Sequence, residues 1–104
     1  MTVRTVGTSQ VHVDAEGFLT EYGEWSTPLA EQLAALIGIE LTDEHWRVIE
    51  FLRTDYAEHG ETATLRRVSV RTGVPVKQLF ALFPGKPAKK MAYVAGLPKP
   101  RGCV

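Results

Sequence analysis

A chain of 104 residues, 44% hydrophobic and 23% charged, fits one soluble globular domain and excludes both a disordered polymer and an array of repeats. Its one cysteine excludes an intrachain disulfide and a thiolate metal cluster, and no apolar run approaches the roughly 20 residues that cross a bilayer. The formal net charge of zero hides a division: eleven acids and three bases precede Gly60, whereas one acid and nine bases follow from it. The basic half either attracts the acidic half across the fold or offers a cationic face to an acidic partner or nucleic acid.

In chain order, residues 2–19 read as extended. Val11-His12-Val13 leads to a turn candidate, Asp14-Ala15-Glu16-Gly17, and then to Phe18-Leu19, which predicts a small β-hairpin. Thr27 caps a helix opened by Pro28, which runs through Leu29, Leu33, Leu36 and Ile37 to a stop at Gly38. Thr42 opens a second, with Asp43 and Glu44 in its first turn, a core stripe of Val48, Ile49, Leu52 and Tyr56, and an end at Gly60. A third spans about 63–72 before Gly73. Pro75 starts a fourth, with Leu79, Phe80, Leu82 and Phe83 committed to packing, and Pro84-Gly85 breaks it. Pro87 starts a short fifth ending near Gly96. The expected fold is mainly α (α+β): a small helical bundle with an N-terminal β-hairpin over residues 1–96, and a flexible C-terminal arm over residues 97–104.

Several chemistries find no support. His12, His45 and His59 match no short metal-binding spacing, no phosphate-binding glycine loop is present, and Asp43-Glu44 suit a helix start. Neither a metal nor a cofactor is expected. Trp25 and Trp46 read as aromatics of the core or its edge.

The residue that stands out is Cys103, next to last in Leu97-Pro98-Lys99-Pro100-Arg101-Gly102-Cys103-Val104. The prolines disfavour helix and Gly102 loosens the last link, so the segment reads as an arm that carries a thiol into a partner's pocket. Lys99 and Arg101 favour the thiolate while the Val104 carboxylate opposes it. At about 0.7 kcal/mol each in water these effects largely cancel, so full reactivity is expected only once the tail is docked. Lys99 and Arg101 are therefore assigned to partner docking.

The terminus resembles that of the DsrC/TusE family of sulfur-carrier proteins. The similarity extends to Gly17-Phe18-Leu19, Trp25, Gly38-Ile39, Leu41-Thr42, His45-Trp46, Val48-Ile49, Phe51-Leu52-Arg53, Tyr56, Leu79-Phe80, Leu82-Phe83-Pro84 and Pro87-Ala88-Lys89. The resemblance implies a helical bundle with an N-terminal hairpin and a mobile arm, and a catalytic role for Cys103 as the persulfide-bearing residue. Members that work with dissimilatory sulfite reductase carry a second cysteine eleven positions earlier. Ala92 stands there, which leaves the one-thiol relay of TusE-like members, handing sulfur toward the wobble uridine of tRNA. The implied partners are a sulfur-donor relay protein and a sulfur-acceptor protein, with indirect tRNA contact, no membrane and cytoplasmic residence. The protein would act as a persulfide carrier rather than a stand-alone catalyst. Gly85-Lys86-Pro87-Ala88-Lys89 inserts a lysine into the family's usual Gly-Pro-Ala-Lys, and Ala63 stands where proline is common.

Two other readings compete. One is a DsrC-like, gamma-subunit-type partner of a dissimilatory sulfite reductase complex. The other is a nucleic-acid-binding helix-turn-helix centred on Thr72-Gly73-Val74-Pro75, with Lys77 and Gln78 at the start of its second helix.

Overall fold

A computed structural model describes residues 2–100. The chain opens with two antiparallel strands, β1 (Thr2–Val6) and β2 (Ser9–Val13), with Thr2 opposite Val13 and Val6 opposite Ser9. The reversal falls at Gly7-Thr8, not at Asp14–Gly17. Gly7 has φ +60° and Thr8 is not left-handed, the requirement of a two-residue turn with glycine first. Asp14–Gly17 makes a second, separate reversal. The Asp14 carboxylate accepts from the amides of Glu16 and Phe18 at 2.9 and 3.0 Å, and Val13 bridges Leu19. Val6, Val11, Val13 and Leu19 face Leu29 and Leu33 to form a small satellite core.

Five helices follow. In α1 (Thr27–Leu36) the cap is Ser26 and not Thr27, because the Ser26 hydroxyl accepts from the Leu29 amide at 3.2 Å and Thr27 is already helical; Pro28 lies in the first turn. Its buried stripe is Leu29, Ala30, Leu33 and Ala34, and Leu36 is 62% exposed. The longest helix, α2 (Asp43–His59), starts at Thr42 and ends at Gly60, which takes the left-handed φ of +73°. Val48, Ile49 and Leu52 of α2 lie wholly inside. Then come α3 (Leu65–Thr72), capped by Thr64, α4 (Val76–Leu82) and α5 (Pro87–Val94). Phe80 of α4 is a second correction: Leu79, Leu82 and Phe83 are buried, whereas Phe80 is 47% exposed. The short α4 cannot point both Leu79 and its neighbour inward.

The helices enclose one main core, in which α2 packs on α3 and α5, and α1 on α5. Two buried polar side chains of α2 lock this arrangement. His45 accepts the Thr42 amide at Nδ1 (3.0 Å) and donates from Nε2 to the Leu82 carbonyl (2.8 Å), tying the start of α2 to the end of α4. Asp55 takes Arg67 of α3 through both oxygens, at 2.7 and 3.1 Å. The guanidinium holds the Asp55 carboxyl below its ordinary range despite burial. Among the described residues, no helix is long and apolar enough to cross a membrane.

Candidate functional site: the root of the cysteine-bearing tail

Cys103 and Arg101 lie outside the described residues, so the structure defines the ground from which they depart. That ground is built with care. A helix leaves its last carbonyls without intrahelical partners, and each of those at the end of α5 is satisfied. The Leu97 amide donates to Ala92 (3.0 Å) and the Gly96 amide to Tyr93 (3.2 Å), the two bonds of a Schellman motif. Trp25 Nε1 donates to the Val94 carbonyl (2.9 Å), and Arg53 Nη1 to that of Ala95 (2.9 Å).

Gly96 is required twice over. Its φ is +70°, and a Cβ there would stand 2.4 Å from Cδ1 of Trp25. Trp25 itself cannot yield easily, because the Arg53 guanidinium lies 4.2 Å from its ring and 3.9 Å from that of Tyr22. Arg53 also donates to the Tyr22 carbonyl, and Tyr22 stacks on Tyr56 at 5.7 Å. Burial lowers the affinity of Arg53 for its proton, but the group stays cationic and its charge is shared with two aromatic faces. Tyr22, Trp25, Arg53 and Tyr56 thus form one stack beneath the tail root.

The expectation that the arm projects from Leu97 onward meets a different geometry. Leu97 is fully buried in the main core and Pro100 is buried as well. Pro98 accepts from the Thr62 hydroxyl at 2.8 Å, and Lys99 pairs with Glu16 at 3.0 Å. Through Pro100, then, the chain lies along the body, between the Asp14–Gly17 turn on one side and the α2–α3 loop on the other. Ala92, where two-thiol relatives have cysteine, is fully buried on α5.

Beside the tail root runs a groove. One cavity of about 220 Å³ lies between Tyr56 and Gly60 on one side and Pro98 and Lys99 on the other, with Glu61, Thr62 and Thr64 along it. A second of the same size shares Glu61, Thr62 and Thr64 and extends to Asp55, His59 and Arg67. His59 Nδ1 lies 3.1 Å from both the carbonyl and a carboxylate oxygen of Asp55. Sequence reasoning missed this wall and the aromatic stack, because their residues are scattered from 22 to 99. The one signal was the recurrence of Trp25, Arg53 and Tyr56 among the family-like positions.

The helix-turn-helix outline is present as α3 and α4, but α4 has seven residues and Lys77 is its one base. On α3, Arg67 is committed to Asp55.

The model of the family described as DsrC like protein matches residues 5–104. The chain belongs to the DsrC-like family. The sulfurtransferase TusE of Escherichia coli strain K12 is 36% identical, over 91% of this chain and 94% of its own. The solution structure of Allochromatium vinosum DsrC is 38% identical and covers 98% of this chain and 97% of its own, with a TM-score of 0.85. A crystal structure described as dissimilatory sulfite reductase I (DsrI) superposes with a TM-score of 0.86 at 34% identity, over 99% of this chain and all of its own. The mainly helical fold with an N-terminal hairpin is that of these relatives.

Proposed function

We propose that this DsrC-like protein is a one-thiol sulfur-relay carrier, taking sulfane sulfur as a persulfide on Cys103 and passing it to an acceptor that serves wobble-uridine thiolation of tRNA. The observation that carries this reading is that the family match runs through the tail to residue 104, and so includes the chain's one cysteine. A nucleophile at the next-to-last position needs a defined point of departure and freedom beyond it. The capped end of α5 and the buried Leu97 supply the first. Lys99 and Arg101 dock the tail on acidic donor and acceptor surfaces, and the protein resides in the cytoplasm.

A second reading, a gamma-subunit-type partner of a dissimilatory sulfite reductase, draws on the likeness to the structure described as DsrI. Ala92 bears on it: without a thiol there, a cycle that pairs two cysteines of one chain cannot run. The test is onward transfer. Protein loaded with labelled sulfur is mixed with a relay acceptor, and the label is followed. Carriage by the wild type and none by Cys103→Ser supports the relay. Label delivered equally by the Cys103→Ser variant rules the mechanism out.

A further inference from the structure

A pocket of about 270 Å³ lies where β1, the Asp14–Gly17 turn, the end of α1 and α5 meet, and it shares no lining residue with the groove at the tail root. Its apolar wall is Phe18, Ile37 and Tyr93, with the Phe18 and Tyr93 rings edge to face at 5.8 Å. Phe18 is buried but Ile37 and Tyr93 are only half-buried, so part of this wall is open to a ligand.

Three cations border the wall. The Arg4 side chain reaches across the turn, where a Cβ on Gly17 would lie 3.0 Å from its Nη1. There the guanidinium sits beside the Tyr93 phenol, whose pKa burial pushes up while Arg4 acts against the rise. Lys90 donates to the Pro84 carbonyl. Lys89 is half-buried and makes no hydrogen bond or ion pair among the described residues. The one acid lining the pocket, Glu16, turns both carboxylate oxygens to Lys99 Nζ, at 3.0 and 3.3 Å. Glu16 is thus neutralised from the tail side, and the pocket keeps a net positive charge next to open apolar surface.

We infer that this pocket binds a small organic acid, a carboxylate carried on an aromatic or branched apolar body. The inference goes beyond the carrier reading and does not depend on it, because Cys103 takes no part. The carboxylate meets Lys89 and the Arg4 guanidinium, whose planar fork suits two oxygens, and the apolar body lies against Phe18, Ile37 and Tyr93. An inorganic anion would leave that wall unused. The volume falls below the roughly 300–1,000 Å³ of drug-sized sites, which suits a small free molecule rather than a protein segment.

The test titrates isotope-labelled, full-length protein with hydrocinnamate at constant ionic strength and follows the backbone amide resonances. Saturable shifts clustered at Phe18, Ile37, Lys89 and Tyr93, with a millimolar midpoint, are the expected result. The uncharged amide of the same acid and inorganic phosphate should each bind at least about fivefold more weakly, because each offers one half of the recognition. Lys89→Gln should weaken the acid by about fivefold and leave the amide unchanged. Shifts that never saturate, shifts spread evenly over the surface, or equal binding of the amide or of phosphate overturn the inference, and so does an unchanged affinity in Lys89→Gln. A peptide ending in phenylalanine is the last arm: tighter binding than that of hydrocinnamate overturns the assignment to a free acid, and weaker binding supports it.

Discussion

Replacing Gly96 by alanine probes the tail root most sharply, and Gly38 supplies an internal control. Both glycines are left-handed just past the end of a helix, at φ +70° and +73°. An alanine at Gly38 meets nothing within 4 Å, so only the conformational penalty applies there, about 1–2 kcal/mol. At Gly96 the added methyl collides with Trp25 at 2.4 Å and approaches Leu19 at 3.0 Å. Trp25 is tethered to the Val94 carbonyl and stacked on Arg53, so it cannot swing aside without breaking a buried hydrogen bond. Overpacking of this kind adds about 1–3 kcal/mol, for a total of about 2–4 kcal/mol. At about 4–8 °C per kcal/mol in a domain of this size, Gly96→Ala should lower the melting temperature by roughly 10–25 °C, and Gly38→Ala by clearly less. Thermal unfolding followed by circular dichroism reads both. Equal losses for the two variants would refute the claim that close packing against Trp25 sets the tail's point of departure.

Arg53→Met keeps much of the side-chain volume but leaves the Ala95 carbonyl without its donor, so it should cost about 1–3 kcal/mol in urea unfolding. Asp55→Asn should change the acid limb of the stability curve. The native carboxyl is held below its ordinary value near 3.8, so the unfolded chain binds more protons in acid. The wild type therefore keeps this contribution above about pH 4 and loses it as pH falls through the native value. Melting temperatures should converge for wild type and variant toward pH 2–3 and separate at neutral pH. Lys99→Gln removes an exposed ion pair with Glu16, worth about 0–1 kcal/mol, so its melting temperature should stay nearly unchanged while transfer from a donor slows.

The helices were legible in the sequence because their ends are marked chemically: Thr42, Gly60 and Gly73 start or stop the backbone where the pattern said they would, while α3, expected from about residue 63, begins after the Thr64 cap. The hairpin turn was misplaced because Asp14…Gly17 is the louder signal, while Gly7-Thr8 carries only one glycine. Phe80 was read inward because a sequence pattern cannot tell a wide apolar stripe from an exposed flank. The tail was legible as to chemistry and not as to position. Pro and Gly around Leu97 suggest a linker, yet the Schellman turn at Gly96 directs Leu97 into the core. The groove was hidden for a different reason: Tyr56, His59, Thr62 and Lys99 meet only when α2, its following loop and the end of α5 come together.

The central claim is that Cys103 carries sulfur. The most direct check is intact mass after incubation with a cysteine desulfurase, cysteine and a loaded relay donor, with Cys103→Ser alongside. A reductant-sensitive gain of about 32 Da in the wild type alone is the predicted result, one sulfur atom held as a persulfide. No gain from a donor shown to be loaded, or the same gain in Cys103→Ser, would contradict it.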